Sequence, residues 1–292
     1  MSTIHRVLFP IDFSLGSQAL VPTVRRMLEF WHAEVTLLHV IETRHWLGPK
    51  HEMDDLMARM KMVAETGLRS RRVTWRVERG APGERILEHI RAKSFDLVAM
   101  SAGASSGLHG SPIGSVADQV LADAPCSVWL DWASTRTRAR VGMYARQVAC
   151  ALALNESDEY VIRRAAQISG ELEAGLTVIH AVCPAPDKPA ALLWNQQIRD
   201  GVREEAKSRI EALLHRFHPS AELDVEVGPR RSVLSRVIQR REMGLLVTGN
   251  VRDAILAAER ECPVLRLASP AASSVPAGEP ESVYTMAARR CA

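Results

Sequence analysis

Paired cysteines are missing from this chain. Its five cysteines, Cys126, Cys150, Cys183, Cys262 and Cys291, stand far apart, with no C-x-x-C pair and an odd total. That pattern excludes a disulfide framework, and a reducing, cytoplasmic location is expected. No set of Cys, His, Asp and Glu stands at ligand spacing, so no metal site is expected. Long apolar runs are also lacking: none approaches the ~20 residues that a bilayer-spanning helix needs, so no membrane partner is expected. The opening Met1-Ser2-Thr3-Ile4 leads directly into a strand-like run, and no leader is expected. Charge of one sign is absent too. A formal net charge of +3 is too small to draw nucleic acid by bulk electrostatics. What remains is an ordinary globular composition, 47% hydrophobic and 24% charged, over 292 residues, which is enough for two domains.

The chain repeats itself. RVLFPIDFSLGSQALVPTVRRML followed by AEVTLLHVIE near the start is matched by QVACALALNESDEYVIRRAAQIS followed by AGLTVIHAV in the middle. A single offset of 141 pairs Phe13 with Leu154, Leu20 with Val161, Val35 with Leu176 and His39 with His180. Further on, RVERGAPGERILEHIRAKSFDLVAMS matches DVEVGPRRSVLSRVIQRREMGLLVTG at offset 148, pairing Gly80 with Gly228 and Leu97 with Leu245. Near the end of each half, Cys126 pairs with Cys262 at offset 136. Segments that recur in the same order mark a duplication. The fall from 148 to 136 means that the second copy lacks twelve residues after its fourth strand. In the first copy that stretch, residues 102–113, is the chain's Gly/Ser-rich loop.

Within the first half, short apolar runs at 7–11, 35–41, 73–77, 97–100 and 127–130 read as strands, and helical periodicity recurs between them. Ser14 or Ser17 is a cap for a helix with apolar positions Leu20, Val24, Met27 and Leu28. A long amphipathic segment covers 52–68, and Gly80 and Pro82 punctuate before a helix over 84–92. The second half repeats the order, with strands near 148–152, 177–182, 223–227, 245–248 and 264–267. Strands alternating with helices predict, in each half, a parallel sheet covered on both faces. The boundaries expected are 1–132 for the first domain, 133–142 for a polar, basic linker and 143–268 for the second domain. Residues 269–292, rich in Ser, Pro, Ala, Gly and Glu, are expected to be a disordered tail.

These motifs carry a resemblance. A strand ending in FPIDFS, a strand ending in LLHVIE, then GAPGERI, DLVAMSA and GSVADQVLADAPCSV, in that order, resemble the universal stress protein family. The resemblance covers residues 5–131 and, more weakly, 143–268, as in tandem two-domain members. It implies the adenine nucleotide alpha hydrolase-like α/β fold: two doubly wound parallel sheets of five strands, each of order 3-2-1-4-5. The two halves of one chain are expected to pack as a pseudo-dimer and protein partners are expected, while association of two chains as a homodimer stays open.

For the site, the resemblance implies ATP at the carboxyl ends of the strands, where such sheets bind ligands. Pro10, Asp12 and Val40 then fall at the adenosine end. Met100, Ser101, Ala104, Gly114, Ser115 and Val116 fall at the phosphate end, and Mg²⁺ accompanies the phosphates if ATP binds. The chemistry agrees in part. Asp12, at the tip of an apolar strand, can accept hydrogen bonds from ribose or base. Gly114 and Ser115 open a helix whose free N–H groups suit an anion. The first two glycines of the family's phosphate loop are, however, Ser101 and Ala104 here, with Gly103 one residue out of register.

In the second half Asp12 becomes Ala153 and the phosphate loop is deleted, leaving Asn155 as the nearby polar residue, so no nucleotide is expected there. His39 and His180 sit inside strand runs and read as structural histidines. Cys126 and Cys262 read as core thiols and Cys291 as the exposed one. Trp129 and Trp132 frame the fifth strand and read equally as packing or as interface residues. Three functions follow: a stress-response protein that binds an adenine nucleotide in its N-terminal domain only; a nucleotide-independent stress-response scaffold working through dimerisation or protein partners; and an enzyme such as a slow ATPase. The enzyme reading is weakest, since no nucleophile, base or metal set is legible near the loop.

Overall fold

The computed structural model describes residues 4–42, 50–103, 113–132, 143, 145–183, 196–217 and 220–268, with the backbone alone for 50–52 and 284–287. The expected linker and Ala104 therefore lie outside the described residues. Contacts divide the chain into two compact units, Met1–Ala133 with Ala268–Ala292, and Ser134–Leu267.

The first unit runs β1 (Arg6–Pro10), α1 (Leu15–Trp31), β2 (Glu34–Ile41), α2 (Lys50–Met62), β3 (Val73–Arg79), α3 (Pro82–Lys93), β4 (Leu97–Ser101), α4 (Ser115–Asp123) and β5 (Ser127–Asp131). Its five strands lie parallel in the order β3-β2-β1-β4-β5. Val7 pairs with both Val35 and Leu97, so β1 is central. Val7, Leu8 and Phe9 are all fully buried, which is what a strand covered on both faces requires. Ser14 is the cap of α1, its hydroxyl accepting from the Ser17 amide at 3.2 Å. The stripe Leu20, Val24, Met27, Leu28 and Trp31 is buried as its spacing predicts. The amphipathic segment after β2 ends in a wider π turn, Val63–Gly67, closed by Leu68 N–H donating to Val63 O at 2.9 Å.

The second unit repeats the plan as β6 (Gln147–Leu152), α5 (Asp158–Glu171), β7 (Gly175–Val182), α6 (Gln196–Phe217), β8 (Glu222–Val227), α7 (Arg230–Arg240), β9 (Leu245–Thr248), α8 (Val251–Glu259) and β10 (Val264–Arg266). Its order is β8-β7-β6-β9-β10, all parallel. The duplication reaches single hydrogen bonds. His39 Nδ1 meets Ile11 O at 2.7 Å and His180 Nδ1 meets Leu152 O at 3.1 Å. Gly80 N–H donates to Ile41 O at 3.0 Å and Gly228 N–H to Val182 O at 3.1 Å. Both glycines have positive φ, 144° and 156°, where a side chain is strained.

The tail departs from expectation. Within the stretch read as disordered, Tyr284–Ala287 forms a strand, β11, paired antiparallel with Val77–Thr74 of β3. The reason is local: β3 is an edge whose backbone groups need partners, and Val283-Tyr284-Thr285 is a β-forming run inside an otherwise polar tail. Cys126, Cys150 and Cys262 are buried free thiols, and burial pushes the Cys150 thiol far up. Cys183 is exposed, whereas Cys291 lies outside the described residues. Trp129 is fully buried, which makes it a packing residue. Among the described residues no helix is long and apolar enough to cross a membrane.

Candidate functional site

Parallel strands that end on the same side leave a hollow where their connections diverge. In the first unit β1, β2 and β4 end around a cleft of about 930 Å³, lined also by residues of α2, α3 and the start of α4. Pro10, Asp12, Val40, Met100, Ser101, Gly114, Ser115 and Val116 all line it. Eight of the nine residues singled out in the sequence are thus brought together, the ninth being Ala104.

The turn after β1 sets the polar end. Phe13 has φ 58°, a left-handed conformation that costs a residue with a side chain ~1 kcal/mol. The sharp turn lets Asp12 Oδ1 accept from Ser14 N–H at 2.9 Å and from Ser17 Oγ at 2.5 Å. Burial alone would raise the Asp12 pKa. The hydrogen bonds from Ser17 and Ser14 outweigh it and hold the carboxyl below its ordinary value, so it is ionised at neutral pH. The same turn lays the Phe13 ring 5.2 Å from the His39 ring and under the Arg59 guanidinium, 4.1 Å from the ring centroid. Burial pushes the His39 pKa down, so the imidazole is neutral. Its Nδ1–H donates to Ile11 O, which leaves Nε2 as an acceptor.

Arg59, Phe13, Asp55 and Glu42 line the cleft without having been assigned to the site from the sequence. Arg59 follows Leu56 on an amphipathic helix, and no spacing reveals that this face passes over the β1 turn. His39, read as structural, makes the backbone bond that reading required and also faces the cleft.

At the other end Ala102 and Gly103 meet Gly114. Gly103 takes φ 85°, and a Cβ there would stand 3.3 Å from Gly114 N. Gly114 N–H donates to Ala102 O at 2.7 Å, and Gly103 N–H donates to Ser101 Oγ at 3.2 Å. Gly103, one residue before the Ala104 position, thus supplies a glycine in the left-handed conformation after β4. The first bond inside α4 is Asp118 N–H to Gly114 O at 2.9 Å, so Ser115, Val116 and Ala117 amides have no partner within the helix.

The second unit fills the corresponding space with its own side chains. Position by position, Ser17 becomes Asp158, Pro82 becomes Arg230 and Ala117 becomes Asp253. Leu154 repeats the left-handed turn of Phe13, with φ 59°. The turn's amides converge on buried Asp158: Ala153 N at 3.3 Å, Leu154 N at 2.5 Å and Asn155 N at 3.2 Å. Asn155 itself accepts from Ser157 N at 3.0 Å and Ser157 Oγ at 2.7 Å, which makes it a turn cap rather than a substitute for Asp12. Arg230 Nη1 donates to Leu152 O at 2.7 Å, while Nε and Nη2 form a fork on Asp253 at 2.7 and 2.6 Å. Pro82 and Ala117, their counterparts, line the N-terminal cleft. An internal ion pair thus stands at positions that border open space in the first unit.

The model of the universal stress protein family matches residues 3–130 and 145–258. No curated protein matches the chain. Among solved structures it is similar to a functionally unknown protein from Pseudomonas aeruginosa, at 18% identity over 91% of this chain and 93% of that one, with a TM-score of 0.64. It is also similar to a universal stress protein from Archaeoglobus fulgidus, at 15% identity over 90% of this chain and 97% of that one, with a TM-score of 0.66. At these identities the likeness to the solved structures is one of fold.

Proposed function

Because this chain belongs to the universal stress protein family, we propose that it is a cytoplasmic stress-response protein whose N-terminal domain binds an adenine nucleotide. The observation that carries this reading is the convergence of eight motif residues on one cleft. Leu56 and Ile86 offer apolar walls to a base, and ionised Asp12 offers an acceptor to ribose hydroxyls. The amides of Ser115 and Val116, which have no partner within α4, offer donors to a phosphate. Mg²⁺ would enter with the phosphates of ATP rather than through a site of its own.

The C-terminal domain supports a different role. Its counterpart positions hold Arg230 and Asp253, so this domain acts through its surface, by packing or through protein partners.

Denaturing the purified protein, identifying released small molecules by mass spectrometry and titrating the emptied chain with ATP and Mg²⁺ tests the reading. One adenine nucleotide per chain is expected. Asp12→Ala removes a charged hydrogen-bond acceptor and should weaken binding roughly 10–100-fold, with the far-UV spectrum unchanged. Unaltered affinity in that variant would put the ligand elsewhere.

A further inference from the structure

We infer that the tail strand β11 is a detachable cover for the edge of β3, and that the uncovered edge pairs with β3 of a second copy of this chain. The two units own the same edge and guard it differently. β8 is the counterpart of β3 at offset 148, and among the described residues no strand lies beyond it. Charge guards it instead. Arg240 and Arg241 of α7 hold Asp224 at 3.0 and 2.7 Å, Arg240 holds Glu226 at 3.2 Å, and Arg241 also holds Glu222. A row of charged side chains on an edge hinders pairing with another chain. In β3 that row is lost. Thr74 stands for Glu222 and Arg76 for Asp224, with the β-forming Trp75 and Val77 alternating with them. Glu78, the counterpart of Glu226, is buried beside His89 of α3 rather than displayed. What guards this edge is backbone: Tyr284 to Ala287 pair antiparallel with Val77 to Thr74.

The cover is built to come off. It is 4 residues long, whereas β2 pairs with β3 over seven. A strand that short, at the end of the chain, belongs to the least stable part of a fold, and its release breaks no pairing between the five parallel strands. The sense of pairing names the partner. An edge that takes β11 antiparallel has its free backbone groups spaced for an antiparallel strand. Two identical edges brought together by a two-fold axis meet antiparallel. A second copy therefore offers the uncovered β3 the same kind of pairing that β11 supplies within one chain.

The test compares the full chain with the full-length double variant Thr285→Pro, Met286→Pro. Neighbouring amides of a strand point to opposite sides, so the two prolines remove whichever one faces β3. Residue-resolved hydrogen exchange in dilute solution reads the cover. The outward amides between Thr74 and Val77 should exchange at least about tenfold faster in the variant. Equal rates in the two proteins overturn the cover. Gel filtration with light scattering reads the partner. At high concentration the variant should reach about twice the mass of the unaltered chain. An unchanged mass overturns the self-pairing. Thr74→Glu with Arg76→Asp, added to the variant, writes the charges of β8 into β3 and should return the mass to that of the unaltered chain. A doubled mass that survives those charges places the association on another surface and also overturns the inference.

Discussion

Replacing Arg230 with alanine should destabilise the C-terminal domain by about 3–5 kcal/mol, because it leaves a buried carboxylate without its partner. Asp253 is only 3% exposed in its side chain, and its remaining neutral donor is Thr248 Oγ1 at 3.1 Å. Arg230 also bonds Leu152 O, but that carbonyl keeps the His180 ring as a second donor. The loss is therefore concentrated on Asp253. Burial works against the Arg230 charge, yet the fork on Asp253 more than offsets it and raises the guanidinium pKa further. The double variant Arg230→Ala, Asp253→Ala removes both charges and should recover most of the loss. A cycle of the four proteins, followed by urea unfolding with far-UV circular dichroism, measures the coupling. Near-additive single and double effects would mean that the pair is not the element that fills this domain's cleft. Tryptophan fluorescence is the wrong probe here, since five of the six tryptophans lie at or before residue 132.

The substitutions behind that plug were visible in the sequence, whereas their meaning was not. The offsets already align Ser17 with Asp158, Pro82 with Arg230 and Ala117 with Asp253. Each pair looks like unrelated surface drift until the fold brings α7 and α8 to the end of β6, because the two charges are 23 positions apart. The alternation of strands and helices and the deletion of the loop were legible, since buried runs and turn residues are local signals. Eight cleft residues were legible because the family resemblance carries its motif onto them, at strand ends and at one helix start. Arg59 was not, because its place depends on how α2 crosses the sheet. Gly103 was legible as a glycine near a glycine-poor motif; its φ of 85° and its closeness to Gly114 needed the fold. The strand at Tyr284–Ala287 was missed because a four-residue run in a polar tail has no periodicity of its own, and its partner is about 200 residues earlier in the chain.

Asp131 gives the second large effect, and of the opposite sign: Asp131→Asn should stabilise the protein at neutral pH. The carboxyl at the end of β5 is buried, with Trp132 N–H at 2.7 Å and Thr23 Oγ1 at 3.4 Å among its donors. Burial raises its pKa from 3.8 to about 6, and those donors only partly oppose the rise. A folded-state value above the unfolded one means that the native chain binds the proton more tightly. Below about pH 4 both states carry it and there is no penalty. Between about pH 4 and 6 the unfolded chain has released a proton that the native chain still holds, so stability falls as pH rises, and it levels off above the folded value. The deficit at pH 8 amounts to roughly 2–3 kcal/mol. Asparagine keeps an acceptor for Trp132 N–H and carries no charge at any pH. The variant should therefore match the wild type near pH 4 and exceed it by that amount at pH 8, as read from urea midpoints by tryptophan fluorescence. Equal midpoints at pH 8 would show that the carboxylate is solvated well enough to carry its charge without cost. The carbonyl of Asp131 also holds the Ala102 amide, at 3.0 Å, where the phosphate-end loop begins. Asparagine leaves that backbone bond in place, so the gain in stability at neutral pH comes from the buried charge alone.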